Sequence, residues 1–133
     1  MKFNPLIPEL YVLNFQKSLH FYTEVLGFKI EYSRENPQFA FLSYQNSQLM
    51  IQQEDDNEIW HNGKPVYPYG RGINFQIETH ETEQLINNLK KVNYPLKMDL
   101  KESSYKAGKD FYAYKEFMVM DPDGYLLRFS QPI

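Results

Sequence analysis

The stretch Phe117-Met118-Val119-Met120-Asp121-Pro122-Asp123-Gly124-Tyr125-Leu126-Leu127-Arg128-Phe129 decides the fold of this chain. An apolar run enters an Asp-Pro-Asp-Gly turn, and a second apolar run leaves it. Pro122 presets φ for a tight turn, Asp121 can accept hydrogen bonds from the backbone ahead of it, and Gly124 tolerates a positive φ. The stretch therefore predicts a strand, a tight turn and a second strand.

The composition indicates one soluble globular domain of 133 residues, with 42% hydrophobic and 23% charged residues. No apolar run is long enough to span a bilayer and no signal-peptide pattern opens the chain, so we expect a cytoplasmic protein. The absence of cysteine excludes disulfides and thiolate metal sites. A net charge of −3 disfavours nucleic acid as a partner and tolerates a cationic ligand.

Aromatic residues are unusually frequent, with 10 Phe, 11 Tyr and one Trp. Phe and Tyr mostly fill cores and sheets, and strand alternation assigns four of the phenylalanines to the core. A buried tyrosine hydroxyl needs a hydrogen-bond partner, so a core does not easily absorb this many tyrosines. We therefore expect some of the rings to line a cleft. The four assigned to the core are Phe41, Phe75, Phe117 and Phe129.

The first half of the chain predicts a strand, a helix and three strands. A strand over 7–13 places Leu10 and Val12 on one face, and Asn14 then stands at a helix N-cap position. Apolar residues recur at helical spacing over 15–26, and Gly27 is suited to end the helix. Three further strands are predicted at 28–33, 39–44 and 48–53.

The second half repeats this order after a Pro- and Gly-containing linker. A strand is predicted at 73–78, and Leu85, Ile86, Leu89 and Val92 lie on one face of the helix that follows. A short strand at 96–100, a polar loop at 101–110 and the hairpin strands 112–121 and 126–130 complete the chain. The fold class is therefore α+β, with two tandem β-α-β-β-β modules whose half-buried sheets form a cupped mixed sheet. The boundaries are module 1 (5–53), linker (54–71) and module 2 (72–131).

The chain resembles the vicinal oxygen chelate superfamily, which comprises glyoxalases, bleomycin resistance proteins and extradiol dioxygenases. The resemblance covers residues 5–131. Three motifs carry it: Asn14-Phe15-Gln16-Lys17-Ser18-Leu19-His20-Phe21-Tyr22, then Leu26-Gly27-Phe28, and the late Asp121-Pro122-Asp123-Gly124.

In metal-dependent members, the first and last strands of each module supply the ligands, and the resemblance carries these places to Ile7, Met50, Gly72 and Arg128. None of the four offers a carboxylate or an imidazole, and Arg128 places a permanent cation where the metal would bind. The three histidines, His20, His61 and His80, lie on separate predicted elements. We therefore expect no metal, no other cofactor and no catalytic residue.

The missing ligand set, together with Ile7-Pro8-Glu9-Leu10 and the final Asp-Pro-Asp-Gly-Tyr-Leu-Leu-Arg-Phe, most resembles the bleomycin resistance branch. That resemblance implies a non-catalytic homodimer that sequesters a flat, cationic glycopeptide antibiotic in clefts shared by both subunits. Stacking surfaces and acidic neighbours suit such a ligand.

The resemblance also implies ligand-binding positions. Stacking falls to Tyr32 and Phe39, and to either Tyr112 or Tyr114. The polar end of the fourth strand is Gln52 or Gln53, and Gly124 lies beside the ligand. Apart from these positions, Glu31 and the acidic run 54–56 are candidates to meet the cationic part, although an acidic run is by default a solvated face. Trp60 either stacks on the ligand or only covers the sheet.

Two alternatives remain open. One is an enzyme of the same fold, a glyoxalase- or dioxygenase-type lyase, whose metal is bound by unrecognised donors such as Glu9, Gln52 and Asn74. The other is a binding protein for a different planar or peptide-like ligand, because one fold hosts many functions.

Overall fold

The computed structural model describes the backbone of residues 1–133 and every side chain except that of Glu58. Module 1 starts with strand β1 (Glu9–Val12) and helix α1 (Phe15–His20), which continues as a π-helical turn over Phe21–Val25. Three strands follow: β2 (Lys29–Glu35), β3 (Gln38–Tyr44) and β4 (Ser47–Gln53). The order of elements predicted for the first half of the chain is therefore confirmed.

The linker contains one short 3-10 helix at Glu58–Trp60. Module 2 then consists of β5 (Asn74–Glu78), α2 (Thr82–Lys91), β6 (Met98–Ala107), β7 (Asp110–Met120) and β8 (Leu126–Pro132). This order matches that of module 1, so the two-module α+β fold is confirmed.

The strands form two four-stranded mixed sheets of matching topology, β1-β4-β3-β2 (sheet 1) and β5-β8-β7-β6 (sheet 2). In each sheet the first strand of the module pairs in parallel with the last, while the other neighbours are antiparallel. Parallel pairing requires a crossover connection, and α1 and α2 with their neighbouring strands provide it. We call the face of each sheet that packs on the helices its core face, and the opposite face its outer face.

One hydrophobic core joins the two modules. It contains α1, α2 and the core faces of both sheets. Tyr44 of β3 packs edge-on against Phe129 of β8, and its hydroxyl lies 2.6 Å from the Thr79 hydroxyl. Because the helical faces and both sheets share this core, neither module buries its apolar face alone.

Helix α1 begins as the sequence predicts. The Asn14 side chain accepts a hydrogen bond of 3.1 Å from the Lys17 backbone N–H, which makes Asn14 the N-cap. The helix then widens into the π-helical turn and ends before Gly27, whose φ is +85°. The position of the cap and of the terminating glycine is confirmed, whereas the π-helical turn was not predicted.

Phe41 is buried as expected but not in the shared core, and Val92 departs from the predicted apolar face of the helix. Phe41 is 1% exposed, but it lies on the outer face of sheet 1, where it stacks on Tyr32 and contacts Phe3 edge-on, outside the shared core. Alternation correctly separated it from Leu42 but could not show that the outer face is also covered. Val92 is 49% exposed because it lies beyond the end of α2 at Lys91, whereas Leu89 is fully buried.

The polar loop predicted over 101–110 is a β-hairpin. Residues Lys101–Ala107 pair antiparallel with Asp110–Glu116, and Gly108, with φ +66°, stands in the connecting turn. Most of these side chains are exposed, so no apolar alternation marks the strand. Backbone pairing with β7 rather than side-chain burial holds this strand in the sheet.

The Asp-Pro-Asp-Gly turn forms as predicted. The Asp121 carboxylate accepts from the backbone N–H groups of Asp123 and Tyr125, both at 2.9 Å, and Gly124 has a φ of +94°. Asp123 reaches module 1, where its carboxylate accepts from the Leu13 N–H at 3.2 Å. The turn therefore joins the two strands of the hairpin and also connects the two modules.

Candidate functional site

A ring-lined cleft of about 580 Å³ lies between β1, the start of module 2 and the linker that covers both. We call it the linker cleft. Its volume is that of a typical small-molecule site. Its walls include five aromatic side chains: Tyr11, Trp60, Tyr69, Phe75 and Tyr125.

Hydrogen bonds fix the tyrosine walls of the linker cleft. The Tyr125 hydroxyl donates to the Tyr11 carbonyl at 2.8 Å, and the Tyr69 hydroxyl donates to the Glu54 carboxylate at 3.0 Å. Burial, then the hydrogen bond and charge of Glu54, raise the pKa of Tyr69 to about 12. These rings are therefore rigid, neutral stacking surfaces at physiological pH.

The linker supplies the accessible edge of this cleft. Trp60 lines it and is 63% exposed, which leaves much of its indole open to a ligand. His61 stands beside it with its ring 5.5 Å from that of Tyr11, and its Nδ1 accepts from the Gly63 N–H at 3.3 Å. This hydrogen bond within the linker makes His61 a part of the linker turn.

Charged groups of both signs border the linker cleft. Glu9 and the Glu54 carboxylate that accepts from Tyr69 provide negative charge, while Lys64 and Arg71 line the wall formed by the linker. The Arg71 guanidinium donates to the Tyr67 carbonyl at 2.8 Å. The cleft can therefore meet a cation on its β1 side.

The outer face of sheet 1 brings together the stacking positions that the resemblance implies. Tyr32 stacks on Phe41 at 5.3 Å and packs against Phe39 at 5.9 Å. Phe39 is 1% exposed, and the guanidinium of Arg34 lies 4.0 Å above its ring. The chain's own cation thus occupies the face of Phe39 that a cationic ligand would need.

The polar residues that the resemblance implies on β2 and β4 differ in how free their side chains are to contact a ligand. Glu31 forms an ion pair of 3.2 Å with Lys29. Gln52 lies on the outer face of sheet 1 beside Tyr11 and is 9% exposed. The Gln53 side chain accepts from the Phe15 N–H and donates to the Leu13 carbonyl, so it holds the start of α1.

The remaining implied positions lie apart from the linker cleft. Tyr112 is 51% exposed on β7, and Tyr114 packs 6.1 Å from Tyr105 on the outer face of sheet 2. Gly124 packs on the linker, since a Cβ at this position would lie 2.5 Å from that of Pro68. Of the implied ligand-binding positions, only Trp60 lines the linker cleft.

The metal-ligand places do not fit a metal. Met50 on β4 is the register partner of Glu9 on β1, and Arg128 on β8 is the register partner of Gln76 on β5. Arg128 forms an ion pair, with its Nη1 3.5 Å from the buried Glu116 carboxylate. The side chains present at these places therefore offer a cation and a thioether instead of metal donors.

Two absences hold for the described residues as a whole. No group of three or more His, Asp or Glu side chains among them is placed to hold a metal ion. No helix in the described part of the chain has the length and apolar character needed to cross a membrane. Glu9 and Gln52, considered above as unrecognised donors, lie on the outer face of sheet 1, and Asn74 is exposed at the start of β5.

Sequence reasoning missed several of these residues. The sequence-based predictions assign neither Tyr69 nor Tyr125 to a site, although the aromatic-rich linker segment Tyr67-Pro68-Tyr69-Gly70 is a usable signal. Glu116 was also missed. A single acidic residue within the strand stretch Tyr114-Lys115-Glu116-Phe117-Met118 is the kind of feature that could have identified it.

Comparison with known proteins is consistent with this arrangement. A family model described as "Glyoxalase/Bleomycin resistance protein/Dioxygenase superfamily" matches residues 4–129. A search among curated proteins returned no match.

Solved structures share the fold at low sequence identity. A virulence protein from Salmonella typhimurium is 19% identical, with a TM-score of 0.68 and 100% of both chains covered. TioX from Micromonospora sp. ML1 is 11% identical, with a TM-score of 0.72 and 96% of this chain and 98% of that chain covered. The fosfomycin resistance protein FosX from Listeria monocytogenes is 18% identical, with a TM-score of 0.57 over 98% of this chain and 92% of that one. At these identities the likeness concerns the fold.

Proposed function

Since the chain belongs to the glyoxalase/bleomycin resistance protein/dioxygenase superfamily, we propose that it binds and sequesters a cationic aromatic antibiotic of the bleomycin type without catalysis. The observation that carries this proposal is the linker cleft, a small-molecule-sized space walled by aromatic rings. A flat ligand gains both apolar burial and stacking against such walls.

The size of the linker cleft defines which part of the ligand it takes. At about 580 Å³ it holds a drug-sized group, so the flat aromatic and cationic portion enters while the sugar portion stays outside. Trp60 at the rim is placed to stack on that portion as it enters. The rigid tyrosines behind it lose little conformational entropy on binding.

Charge supports a cationic ligand on one side of the cleft. Glu9 lines the wall, and Glu54 sits behind Tyr69. Carboxylates near aromatic faces favour a cation through both Coulomb attraction and cation–π contact. Lys64 and Arg71 on the linker side orient the ligand, because they repel its positive end toward β1.

The absence of catalysis in this proposal rests on the residues at the metal-ligand places. Ile7 and Gly72 carry no donor side chain, Met50 offers only a thioether, and Arg128 is a permanent cation paired with Glu116. A divalent ion bound beside that guanidinium would be electrostatically opposed. We therefore propose no step that depends on a metal.

We further propose that the protein acts as a homodimer whose clefts are shared between subunits. Tyr112 and Tyr114 do not line the linker cleft of their own chain, and the neighbouring Phe111 is 69% exposed. A second copy can bring this aromatic segment of β7 to the cleft of the first. Sedimentation velocity tests this point, and a monomer at all concentrations would contradict the shared cleft.

Binding is tested by titrating the protein with bleomycin and following Trp60, the only tryptophan, by its emission. We expect a saturable change, and recovery of the ligand with unchanged mass after incubation. Trp60→Ala, measured by calorimetry, should weaken binding about tenfold, as stacking of 1–1.5 kcal/mol implies. Ile133→Ala, an equally exposed apolar truncation, is the control and should bind normally.

The titration also separates the alternatives. If only another ligand from a panel of planar or peptide-like compounds saturates the protein, the protein is a small-molecule binder whose ligand is not bleomycin. A chemically altered ligand would reject sequestration in favour of an enzyme.

A further inference from the structure

The outer face of sheet 2 carries a polar cluster that the proposed function does not use. The β7–β8 register sets Glu116 opposite Ser130, and the next row on this face sets Met118 opposite Arg128. Arg128 is in turn the register partner of Gln76 on β5. Directly opposite residues of neighbouring strands point to the same side of a sheet, so these side chains share one face.

The carboxylate of this cluster is fully engaged. Glu116 is 1% exposed and accepts hydrogen bonds from the Ser130 hydroxyl at 2.6 Å and from the Tyr105 hydroxyl. Burial raises the pKa of Glu116, but these two hydrogen bonds and the charge of Arg128 outweigh it, so the pKa lies below its usual value. Glu116 is thus a fixed anion that orients the neighbouring cation.

The cation of the cluster is only partly engaged. Arg128 donates from Nη1 to Glu116 at 3.5 Å and from Nη2 to the Gln76 side-chain oxygen at 3.2 Å, while its Nε is buried without a partner. A guanidinium has five N–H donors, so more than half of its capacity is unused. A buried donor left without a partner destabilises the free protein, and a ligand that reorganises the guanidinium can recover that loss.

The guanidinium is accessible from the solvent side. The Arg128 side chain is 23% exposed, and the neighbouring Gln76 is exposed at the edge of the cluster. We propose that Arg128, held by Glu116 and assisted by the Gln76 side-chain amide, forms a binding site for an oxyanion group of a small molecule, a carboxylate or a phosphate. The planar fork of arginine matches two oxygens of such a group.

The charges around the site determine the direction from which a small anion approaches it. Glu78 shares a row with Ser130 on one side, and Lys101 is the register partner of Glu116 on the other. The approach from Glu78 is repulsive and that from Lys101 is attractive. An oxyanion therefore binds at the exposed edge of Arg128 beside Gln76, on the side away from Glu78.

This site is separate from the linker cleft, because Arg128, Glu116 and Gln76 are not among the residues that line the cleft. It also explains the arginine at a metal-ligand place. A permanent cation carried by the chain holds ligand oxygen there. Oxyanion binding at Arg128 is therefore independent of bleomycin binding in the linker cleft.

Nuclear magnetic resonance tests the site directly, since the chain has three arginines, Arg34, Arg71 and Arg128, and the Arg128 Nε–Hε signal is assigned by its loss in Arg128→Lys. The probes are sodium phosphate and sodium acetate, each titrated at constant ionic strength. We expect a saturable shift of the Arg128 signal and of the Gln76 side-chain amide, with one shared Kd, for at least one of the probes. The probe that saturates at lower concentration identifies the anion class.

Two variants complete the experiment. Arg128→Lys should weaken the Gln76 response at least tenfold, because the fork is lost while the charge stays. Arg34→Lys, a matched change on the other sheet, should leave the response intact. A linear, unsaturable shift common to all three arginines, or an unchanged Gln76 response in Arg128→Lys, would overturn the proposal. Trp60 emission with bleomycin should be the same in both variants, which separates this result from the fate of the proposed function.

Discussion

The Tyr22 hydroxyl donates a buried hydrogen bond of 2.7 Å to the carboxylate of Asp121. Tyr22 belongs to the π-helical turn of module 1, and Asp121 opens the last turn of module 2, 99 positions later. The Asp123 carboxylate adds contacts from the same turn to the Leu13 N–H and the Ser18 hydroxyl. The most recognisable motif of the sequence is therefore the joint between the modules.

Removing the Tyr22 hydroxyl should destabilise the protein. Tyr22→Phe keeps the ring, which is 0% exposed, but leaves one carboxylate oxygen of Asp121 without its donor. We expect a loss of about 1–3 kcal/mol in the free energy of unfolding, measured by urea denaturation. Tyr112→Phe, at a half-exposed ring, is the control, and an equal effect of both changes would contradict a special role for Tyr22.

Asp121 should make stability depend on pH near neutrality. Burial, the largest influence, raises its pKa to about 7, from an ordinary value of 3.8. Between pH 4 and 7 the folded state keeps a proton that the unfolded state has released, so this contribution to stability is lost as pH rises through that window. The slope approaches 1.4 kcal/mol per pH unit at most.

Asp121→Asn isolates this effect, because the amide keeps the acceptor for Asp123 and Tyr125 but cannot ionise. We expect the difference in urea midpoint between the variant and the parent protein to grow in favour of the variant from pH 5 to pH 8. A difference that is constant over this range would show that Asp121 titrates at its ordinary pKa.

Gly124 should not tolerate alanine. Its φ is +94°, and an added Cβ would lie 2.5 Å from Pro68 Cβ and 2.6 Å from Pro68 Cα. Gly27 has a similar φ of +85° with open space around it, so Gly27→Ala measures the backbone cost alone, about 1 kcal/mol. Gly124→Ala should cost about 2 kcal/mol more in the same denaturation experiment. Equal losses would mean that the linker yields to the extra methyl group.

Glu116→Gln should destabilise the protein by about 3 kcal/mol, because it leaves Arg128 without its counter-charge in a largely buried setting. The lowered pKa of Glu116 means that its stabilisation is present at neutral pH and is lost as pH falls below the usual range of a glutamate. The parent and the variant should therefore converge in thermal stability at acid pH. Glu83→Gln, which breaks an exposed pair of 3.9 Å with Lys115, should cost less than about 0.5 kcal/mol.

Much of the fold could be predicted because local chemistry specifies it. An asparagine directly before a helix favours the N-cap role, as Asn14 shows. A turn position that needs a positive φ favours glycine over other residue types, as at Gly124. The strand at 101–107 escaped prediction because its exposed side chains carry no apolar alternation and its partner is β7. The outer-face burial of Phe41 escaped for a related reason, since the cover comes from Phe3 and Tyr32.

The candidate site was predictable in kind but not in position. The excess of tyrosine correctly indicated a ring-lined cleft. Which rings line it depends on how the linker folds over β1, and the hydrogen bond between Tyr125 and Tyr11 spans 114 positions. Arg128 could be placed at a metal-ligand position by motif, whereas its pairing with Glu116 required the β7–β8 register.

The most direct test of the central claim is an isothermal calorimetric titration of the purified protein with bleomycin. We predict saturable heat with a Kd of about 1 μM or tighter, which corresponds to roughly −8 kcal/mol. The absence of saturable heat at ten times that ligand concentration, on protein shown to be folded, would contradict the proposed function.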